Sequence, residues 1–393
     1  MLLSTHFTPP RSKSEYDVRE DYATLRQFLL ICAAAGSLWA ADATPKPVLK
    51  VRIELAQVMK EPPGVPSSKR HAIDSLTFSN DGKRLALLAT GHVQTSEGLV
   101  HVVVIDWDKP KPSAVTLGSA IENRAAWSLT RTLRWSSDDS LLLIDQEKPV
   151  LLDAETGMPR CGSDPNEKRT ALTAGFAGAD RFYVVYRIAP SGTMFTLRDF
   201  DCHVVGEHRV NDRVIGISAY TSDRIALHHE GGFLILGAPD WKESKRIADD
   251  RISATPVFLN HGHTLCAADV SSASNVSVLC WAIGDAAITQ LRKYDAPTNS
   301  TLPISGAAKA SRVAFLEGMI NGSLQWVRFG QYVVWDPESG TTLATLPAQT
   351  QHFEVGRSRA EAPFMLALSP DGSLLALAGE NVVEVYSLPG VAK

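Results

Sequence analysis

The chain has 393 residues, of which 44% are apolar and 21% are charged, so its composition is that of a globular protein and not of a disordered one. Its formal net charge of -4 argues against nucleic-acid binding, because such proteins neutralise phosphates with an excess of Lys and Arg. This length accommodates either two average domains or a single repeat fold.

The N-terminal segment has the pattern of an export signal. Residues 1–25 are polar and mixed in charge, and they precede Arg26, an apolar run at 28–39 and the small residues from Ala40 to Ala43. A charged entry, a short apolar centre and an alanine-rich exit predict a secretory signal that is cleaved after Ala40 or Ala43. The run is shorter than the roughly 20 residues that cross a bilayer, so an uncleaved anchor is a weaker alternative, beside a buried cytosolic helix.

From residue 46 onwards, short apolar strands alternate with turns rich in Asp, Gly, Ser and Asn, which is typical of all-β proteins. Three segments superimpose on one another, at 76–87, 133–144 and 366–377. Each predicts a strand, a tight turn and a second apolar strand. The first and third turns contain an Asp-Gly pair, whose Gly supplies the positive φ that such turns need.

A second pattern marks the end of a later strand. In the segments 150–157 and 333–340, an apolar strand ends in Asp and a Gly closes the hairpin four residues later. Including fainter copies in the middle of the chain, the repeats begin near residues 76, 133, 173, 216, 257, 313 and 366. Spacings of roughly 40 to 57 residues are typical of four-stranded propeller blades with loop insertions. We therefore predict seven blades, with six or eight as alternatives.

The Ser369-Pro-Asp-Gly372 turn, followed by an apolar strand, and the Trp335-Asp336 pair at the end of another strand resemble the WD40/YVTN-type β-propeller superfamily. The resemblance extends over about residues 46–389 and implies an all-β propeller of four-stranded blades. It implies no particular binding surface, because most copies lack the Gly-His and Asp pattern of regular WD40 repeats. The predicted organisation is an N-terminal lead and signal or short anchor at 1–43, which includes an apolar helix, and a propeller at 44–393.

The final repeat lacks one strand. After the copy at 366–377 the chain contains only one more apolar strand, at 382–388. The alternating segment at 48–55 predicts the missing fourth strand. This pairing would join the two ends of the chain in one blade and leave no open sheet edge.

Four cysteines follow the predicted signal, and their even number permits disulfides in an exported chain. Cys266 and Cys280 lie on consecutive strands and are expected opposite one another, while Cys161 and Cys202 fall at similar places in adjacent blades. Four free, buried thiols are the alternative. Cys32 does not fit a lipoprotein cysteine, because the apolar run continues beyond it.

Motifs for cofactors and nucleophilic catalysis are absent from the sequence. It contains no phosphate-binding loop of the Walker type, no Gly-x-Gly-x-x-Gly segment and no Gly-x-Ser-x-Gly elbow. His261 and His263 are predicted in a solvated turn, and His228 and His229 on opposite faces of a strand, so neither pair predicts a metal site. We therefore predict no cofactor and no metal.

Several basic residues lie near the ends of predicted innermost strands that face the central channel in propellers. Convergent guanidinium groups would bind carboxylates or phosphates. The candidates are Arg131, Arg134, Arg213, Arg251 and Arg312. Alternatively, these arginines lie on the outer face and pair with Asp138, Asp139, Asp212 or Asp250. Asp74 is the one carboxylate predicted at a comparable channel-facing position, and a single Asp does not provide a catalytic mechanism.

These features predict an exported, periplasmic or secreted propeller that acts as a non-enzymatic binding or scaffold module, as a monomer, for another protein or an envelope component. Contact with a membrane is expected only through an uncleaved N-terminal segment. A propeller hydrolase or lactonase-like enzyme that uses channel-facing residues is the alternative function. Specificity is expected in the long predicted loops at 57–70, 90–98, 157–170, 284–308 and 347–362.

Overall fold

The computed structural model describes residues 46–58, 71–91, 97–109, 112–123, 132–161, 169–188, 192–249, 256–269, 277–296, 303–320, 327–348, 365–379 and 382–390. The predicted lead and signal at 1–43 lie outside this part of the chain. Within the described part, no helix has the length and apolar character that crossing a membrane requires.

The described chain begins with β1 (Val48–Glu54) and a single helical turn, α1 (Leu55–Val58). Blade 1 contains β2 (His71–Phe78), β3 (Arg84–Gly91), β4 (Glu97–Asp106) and β5 (Ser113–Asn123). Blade 2 contains β6 (Thr132–Trp135), β7 (Leu141–Asp145), β8 (Val150–Asp153) and β9 (Pro159–Cys161). Blade 3 contains β10 (Ala171–Phe176), β11 (Arg181–Ile188), β12 (Gly192–Asp199) and β13 (Val204–Val210).

Blade 4 contains β14 (Val214–Tyr220), β15 (Arg224–His229), β16 (Gly232–Gly237) and β17 (Lys242–Ala248). Blade 5 contains β18 (Val257–Leu259), a 3-10 turn (Asn260–Gly262), β19 (Thr264–Asp269), β20 (Ser277–Ile283) and β21 (Ile288–Asp295). Blade 6 contains β22 (Ile304–Gly306), β23 (Val313–Ile320), β24 (Val327–Asp336) and β25 (Thr341–Pro347). Blade 7 contains β26 (Met365–Leu368), β27 (Leu374–Gly379), β28 (Val382–Ser387) and β1.

Each blade is a four-stranded antiparallel sheet, and in blades 1 to 6 the strands follow one another in chain order. This arrangement confirms the predicted seven-bladed, all-β propeller. Blade 7 has the order β1-β28-β27-β26, with Val48 opposite Ser387 and Glu54 opposite Val382. The predicted closure by the segment at 48–55 is therefore confirmed, because β1 covers the edge that β28 would otherwise expose.

The core lies between the blades. In β3, Leu85, Leu87 and Ala89 pack in a cluster shared with blade 7, while Ala86 and Leu88 pack in a cluster shared with blade 2. All five residues are fully buried. A strand that is covered on both faces has apolar residues at successive positions and not only at every second one. This two-sided burial explains why the second strand of each repeat gave the clearest sequence pattern.

The start predicted for the sixth repeat is wrong. Val313 begins β23, the second strand of blade 6, and the first strand is the short β22. β22 contains one large apolar side chain, that of Ile304, and the following turn at 307–312 lacks the Asp-Gly pair. Because β22 has a single large apolar residue and the turn after it has no Asp-Gly pair, the repeat becomes recognisable in the sequence only at its second strand, β23.

Two predicted loops contain strands. The predicted loop at 284–308 includes β21 and β22, and that at 157–170 includes β9. β9 and β21 are the outermost strands of their blades, and most of their side chains are at least partly exposed. Outer strands with polar side chains resist pairing with other chains, but they lose the apolar pattern from which strands are predicted.

Candidate functional site in the central channel

The first strands of the blades line a central channel with a cavity of about 540 Å³. Residues from all seven blades line it, and one end is formed by the turns that join the first and second strands of the blades. We call these the inner turns, and the end of the channel that they form the channel mouth. The inner turns are residues 79–83, 136–140, 177–180, 221–223, 260–263, 307–312 and 369–373.

Arg134, on β6, is the cationic group deepest in the described lining, with 9% of its surface exposed. Its Nη2 donates hydrogen bonds to the Asp145 carboxylate at 3.3 Å and to the Ser218 carbonyl at 2.8 Å. The guanidinium lies over the ring of Tyr220, 5.1 Å from its centroid. One side chain of blade 2 therefore reaches past blade 3 to the first strand of blade 4.

Asp145 ends β7 and is almost completely buried behind the lining. Besides Arg134, it accepts hydrogen bonds from the Ala174 amide at 2.8 Å and from the Thr173 hydroxyl at 2.9 Å. Burial raises the pKa of the Asp145 carboxyl, while the positive charge of Arg134 and the hydrogen bonds act in the opposite direction. The carboxylate is therefore tied to blade 3 by hydrogen bonds and to blade 2 by its own strand.

Hydroxyl groups complete this network. The Ser218 hydroxyl lies 2.9 Å from the Thr173 hydroxyl and also bonds the phenol of Tyr183. The Tyr220 phenol donates to the Trp135 carbonyl at 3.2 Å. Burial raises the pKa of Tyr183, and it raises that of Tyr220 to about 12. Both phenols are therefore neutral hydrogen-bonding groups near neutral pH.

Two N–H groups of residues that contribute to the lining are buried within the protein and have no hydrogen-bond partner in its described part: Nε of Arg134 and Nε1 of Trp135. Trp135 is 4% exposed, and the guanidinium of Arg84 lies over its ring, 4.8 Å from the ring centroid. A buried donor without a partner is destabilising by about 1 to 3 kcal/mol, so native proteins rarely retain one without a reason.

The channel mouth is spanned by Lys309, which lies in the inner turn of blade 6. Its amide donates to the Pro370 carbonyl of blade 7 at 2.7 Å, and its Nζ donates to the Asn80 carbonyl of blade 1 at 3.1 Å. His261, in the inner turn of blade 5, is exposed and also lines the cavity. The His261 amide donates to the Ala308 carbonyl, which places the imidazole beside the turn that holds Lys309.

Three arginines connect neighbouring inner turns in the same way. Arg84 and Arg224 are the first residues of the second strand of their blades, and Arg312 directly precedes that strand. Each donates to a carbonyl in the inner turn of the next blade. The donor–acceptor distances are 2.8 Å to Asp139, 2.9 Å to Gly262 and 3.0 Å to Gly372. This role was not predicted from the sequence, although a basic residue recurs at the same position of several repeats.

The predicted convergence of arginines is limited to one residue in the described structure. Arg134 lines the cavity, but Arg213 is 63% exposed and pairs with Glu230 at 2.9 Å outside the lining. Arg312 lies outside the lining as well and donates to the carbonyls of Gly372 and Gly390. Arg131 and Arg251 lie outside the described residues.

The described carboxylates that were alternative partners of the candidate arginines form hydrogen bonds or ion pairs with other groups. Asp138 accepts hydrogen bonds from Ser136 and Ser140 in its own inner turn. Asp139 accepts from the amides of the inner turn of blade 1, and Asp212 pairs with Arg246 at 2.9 Å. Asp250 lies outside the described residues. Asp74 sits at a bulge in β2 and is not part of the cavity lining.

The other three histidines that were considered as metal ligands lie in blades 4 and 5. His263 is exposed beside the inner turn of blade 5, while His228 and His229 are both buried in β15. In the part of the chain that the structure describes, no three residues of the types His, Cys, Asp and Glu are grouped so that they could hold a metal ion.

Both cysteine pairs are brought together. Cys266 of β19 lies directly opposite Cys280 of β20, with 4.1 Å between their Cα atoms, and the structure joins them as a disulfide within blade 5. Cys161 and Cys202 are 6.1 Å apart between their Cα atoms and are joined as well. Since Cys161 is in β9 and Cys202 in the turn before β13, this second bridge links blade 2 to blade 3.

Comparisons with known proteins agree with this architecture. A family model described as the lipoprotein LpqB β-propeller domain matches residues 31–157, which include blade 1 and most of blade 2. The solved β-propeller domain of Cps50 (Swd1) from Myceliophteria thermophila is 15% identical, with a TM-score of 0.55, and the match covers 82% of this chain and 97% of that one. This likeness shows the fold alone. No curated protein sequence matches the chain.

Proposed function

We propose that this chain is an exported propeller that binds another protein or a component of the cell envelope, and that the channel mouth is its binding face. The observation that carries the proposal is the cavity of about 540 Å³, which all seven blades line. A cavity of this size is in the range of ligand sites. The closed ring of blades holds its walls in place, because each blade packs against both neighbours.

The extracytoplasmic location is supported by three independent features. The apolar run at 28–39 has the pattern of a secretory signal. The propeller model that matches residues 31–157 is named after a lipoprotein. Finally, two pairs of cysteines lie within bonding reach, an arrangement that favours an oxidising compartment.

The chemistry of the cavity favours binding over hydrolysis. Its described lining contains hydroxyl, amide, imidazole, ammonium and guanidinium groups, and no carboxylate. A propeller hydrolase or lactonase-like enzyme would need acids, bases or metal ligands converging on the substrate. The same groups are well suited to hold a ligand by hydrogen bonds.

Fractionation tests the location. The full chain with a C-terminal tag should be recovered from the periplasm or the medium, and its intact mass should correspond to cleavage after Ala40 or Ala43. Uncleaved protein confined to the cytoplasm would contradict the proposal. Protein that is uncleaved and held in the membrane fraction would contradict cleavage only.

Site-specific photo-crosslinking tests the binding face. Ser137 lines the cavity and is exposed, so a photoreactive amino acid at this position would point into the channel mouth. Lys242, whose side chain is 75% exposed on the outer strand β17, is the matched control. We expect a discrete adduct with an envelope component from position 137 and none from position 242. Equal adducts at both positions, or none at 137, would reject the channel mouth as the binding face.

A further inference from the structure

We propose that the bridge between Cys161 and Cys202, which we call the rim bridge, is a site of thiol–disulfide exchange. A dithiol from outside reduces it and thereby releases β9, the outermost strand of blade 2. This site goes beyond the proposed function, because it does not involve the channel mouth. Three observations carry it: the partial exposure of the bridge, its position between two blades, and the weak attachment of the strand that it holds.

The two bridges differ in their access to solvent. Cys266 and Cys280 are fully buried and lie opposite one another in β19 and β20, so a reductant reaches their sulfurs only after blade 5 opens. Cys161 and Cys202 are both partly exposed, and Cys202 lies in a turn beside His203, whose side chain is 77% exposed. Since exchange needs direct attack by a thiolate on a sulfur, the rim bridge is the accessible one.

β9 is weakly attached to its sheet. In the described chain it has three residues, whereas the outermost strands of the other blades have seven to eleven. It pairs with β8 at two positions, and at one of them Pro159, opposite Leu152, has no amide hydrogen to donate. Pro159 and Arg160 are exposed, so Cys161 is the one residue of β9 that packs against the core. The covalent link to blade 3 is therefore a main attachment of this strand.

Release of β9 would uncover β8 without opening the ring. Leu151 and Leu152 of β8 are 1% and 7% exposed, and β9 covers the edge of that strand. The inner end of the interface between blades 2 and 3 is held separately, by hydrogen bonds from Thr173 and Ala174 to Asp145. Reduction of the rim bridge therefore exposes a sheet edge locally and leaves the channel in place.

The exchange proceeds in two steps. One thiolate of the dithiol attacks a sulfur of the rim bridge, forms a mixed disulfide with it and displaces the other cysteine as a thiolate. The second thiolate of the reductant then attacks the mixed disulfide and displaces the first cysteine. Two electrons pass from the dithiol to the bridge, and the two protons that leave the dithiol are taken up by the two cysteine thiolates. The products are two cysteine thiols and the reductant in its disulfide form.

Differential alkylation tests the exchange. The purified, exported protein is incubated with dithiothreitol without denaturant, samples are alkylated at intervals, and each cysteine is quantified by peptide mass mapping. We expect both cysteines of the rim bridge to become alkylated together, while those of the blade 5 bridge stay protected until denaturant is added. The inference is overturned if the rim bridge resists dithiothreitol, if the blade 5 bridge is reduced at least as fast, or if the rim cysteines react before reduction.

Limited proteolysis tests the release of β9. Arg160 is exposed in β9, and Arg292, exposed on the eight-residue outermost strand β21, is the matched control. Trypsin cuts after an arginine in a strand only when that strand leaves its sheet, so the cleavage rate follows the population of the open form. Reduction of the rim bridge should speed cleavage after Arg160 about tenfold and leave Arg292 resistant. No acceleration at Arg160, or equal acceleration at Arg292, would overturn the release of β9.

Cys161→Ser/Cys202→Ser produces the open state without a reductant. The variant should be cleaved after Arg160 as fast as the reduced wild-type protein, and dithiothreitol should not change this rate. Cleavage as slow as in the oxidised wild type would overturn the inference. If the variant does not fold, which cleavage after Arg292 would reveal, the comparison of oxidised and reduced wild-type protein decides the question by itself.

Discussion

Nη2 of Arg134 lies 2.8 Å from the carbonyl oxygen of Ser218, although the two residues belong to blades 2 and 4. Blade 3 stands between them, and its Thr173 hydroxyl bonds both Asp145 and Ser218. Three blades are therefore joined at the channel by buried polar groups as well as by apolar packing. Such a network fixes the relative positions of the blades only if its members are satisfied, which makes it sensitive to the loss of one of them.

Removal of Arg134 should be strongly destabilising. Arg134→Met leaves the Asp145 carboxylate buried without its counter-ion, and loss of one partner of a buried ion pair costs about 3 to 5 kcal/mol. Urea unfolding followed by tryptophan fluorescence measures this loss. Arg134→Met/Asp145→Leu should recover part of it, because no buried charge remains.

Arg213→Met is the matched control, since Arg213 is 63% exposed in its pair with Glu230. It should change the free energy of unfolding by no more than about 0.5 kcal/mol. A loss for Arg134→Met as small as that of this control would show that the Arg134–Asp145 pair does not stabilise the ring.

The architecture was predictable because propeller repeats carry local signals. Turns such as 369–373 and strands such as β3 repeat along the chain, and the closure by β1 followed from the strand missing from blade 7. The polar network was not predictable, because it joins residues from different repeats. Asp145 is the last residue of an apolar strand and belongs to no repeated pattern. Its partners Thr173 and Ser218 are common residue types whose proximity depends on the ring geometry.

The same limit applies to the arginines. The sequence places basic residues near strand ends, but it does not say whether a long side chain turns toward the channel or sideways to the next blade. Arg134 lines the channel, whereas Arg312 reaches the inner turn of blade 7. Lys309 was not predicted because the inner turn of blade 6 lacks the Asp-Gly pair that marks the inner turns of blades 1 and 7.

Acid should weaken the fold through the inner turns. Partial burial opposes ionisation of Asp81, Asp138 and Asp371, but hydrogen bonds from serine hydroxyls and turn amides outweigh it and lower the pKa of all three from the usual 3.8. A group whose pKa is lower in the folded state stabilises the fold above its unfolded value, and this contribution is lost as the pH falls through the folded-state pKa. The melting temperature should therefore drop steeply below about pH 4.

Asp138→Asn tests this assignment. The variant should melt at a lower temperature than the wild type at neutral pH, and the difference should shrink in acid, where the wild-type carboxyl is protonated as well. Asp240→Asn removes an exposed carboxylate from the turn between β16 and β17 and should not change the pH profile. A difference between Asp138→Asn and wild type that is the same at all pH values would contradict the role of ionisation.

The two cysteine pairs should be oxidised in the exported protein. Alkylation of the denatured, unreduced protein should leave its mass unchanged at Cys161, Cys202, Cys266 and Cys280, and prior reduction should allow all four to react. Denaturant is needed because Cys266 and Cys280 are fully buried. Cys202→Ser should expose only Cys161 to the reagent, since the bridge within blade 5 is independent. Full alkylation without reductant would establish four free thiols instead.

Closure of the ring by β1 should be required for a monomeric fold. Ile53 is 3% exposed and packs in the cluster between blades 7 and 1, whereas Val48, on the same strand, is 62% exposed. Ile53→Ala should therefore lower the free energy of unfolding by about 2 to 5 kcal/mol, and Val48→Ala, a comparable truncation of an exposed side chain, should have little effect. Loosening of β1 also frees the edge of β28, so Ile53→Ala should form oligomers at temperatures where Val48→Ala is still monomeric by light scattering. Equal stability and equal molar mass of the two variants would mean that the pairing of β1 with β28 does not hold the ring closed.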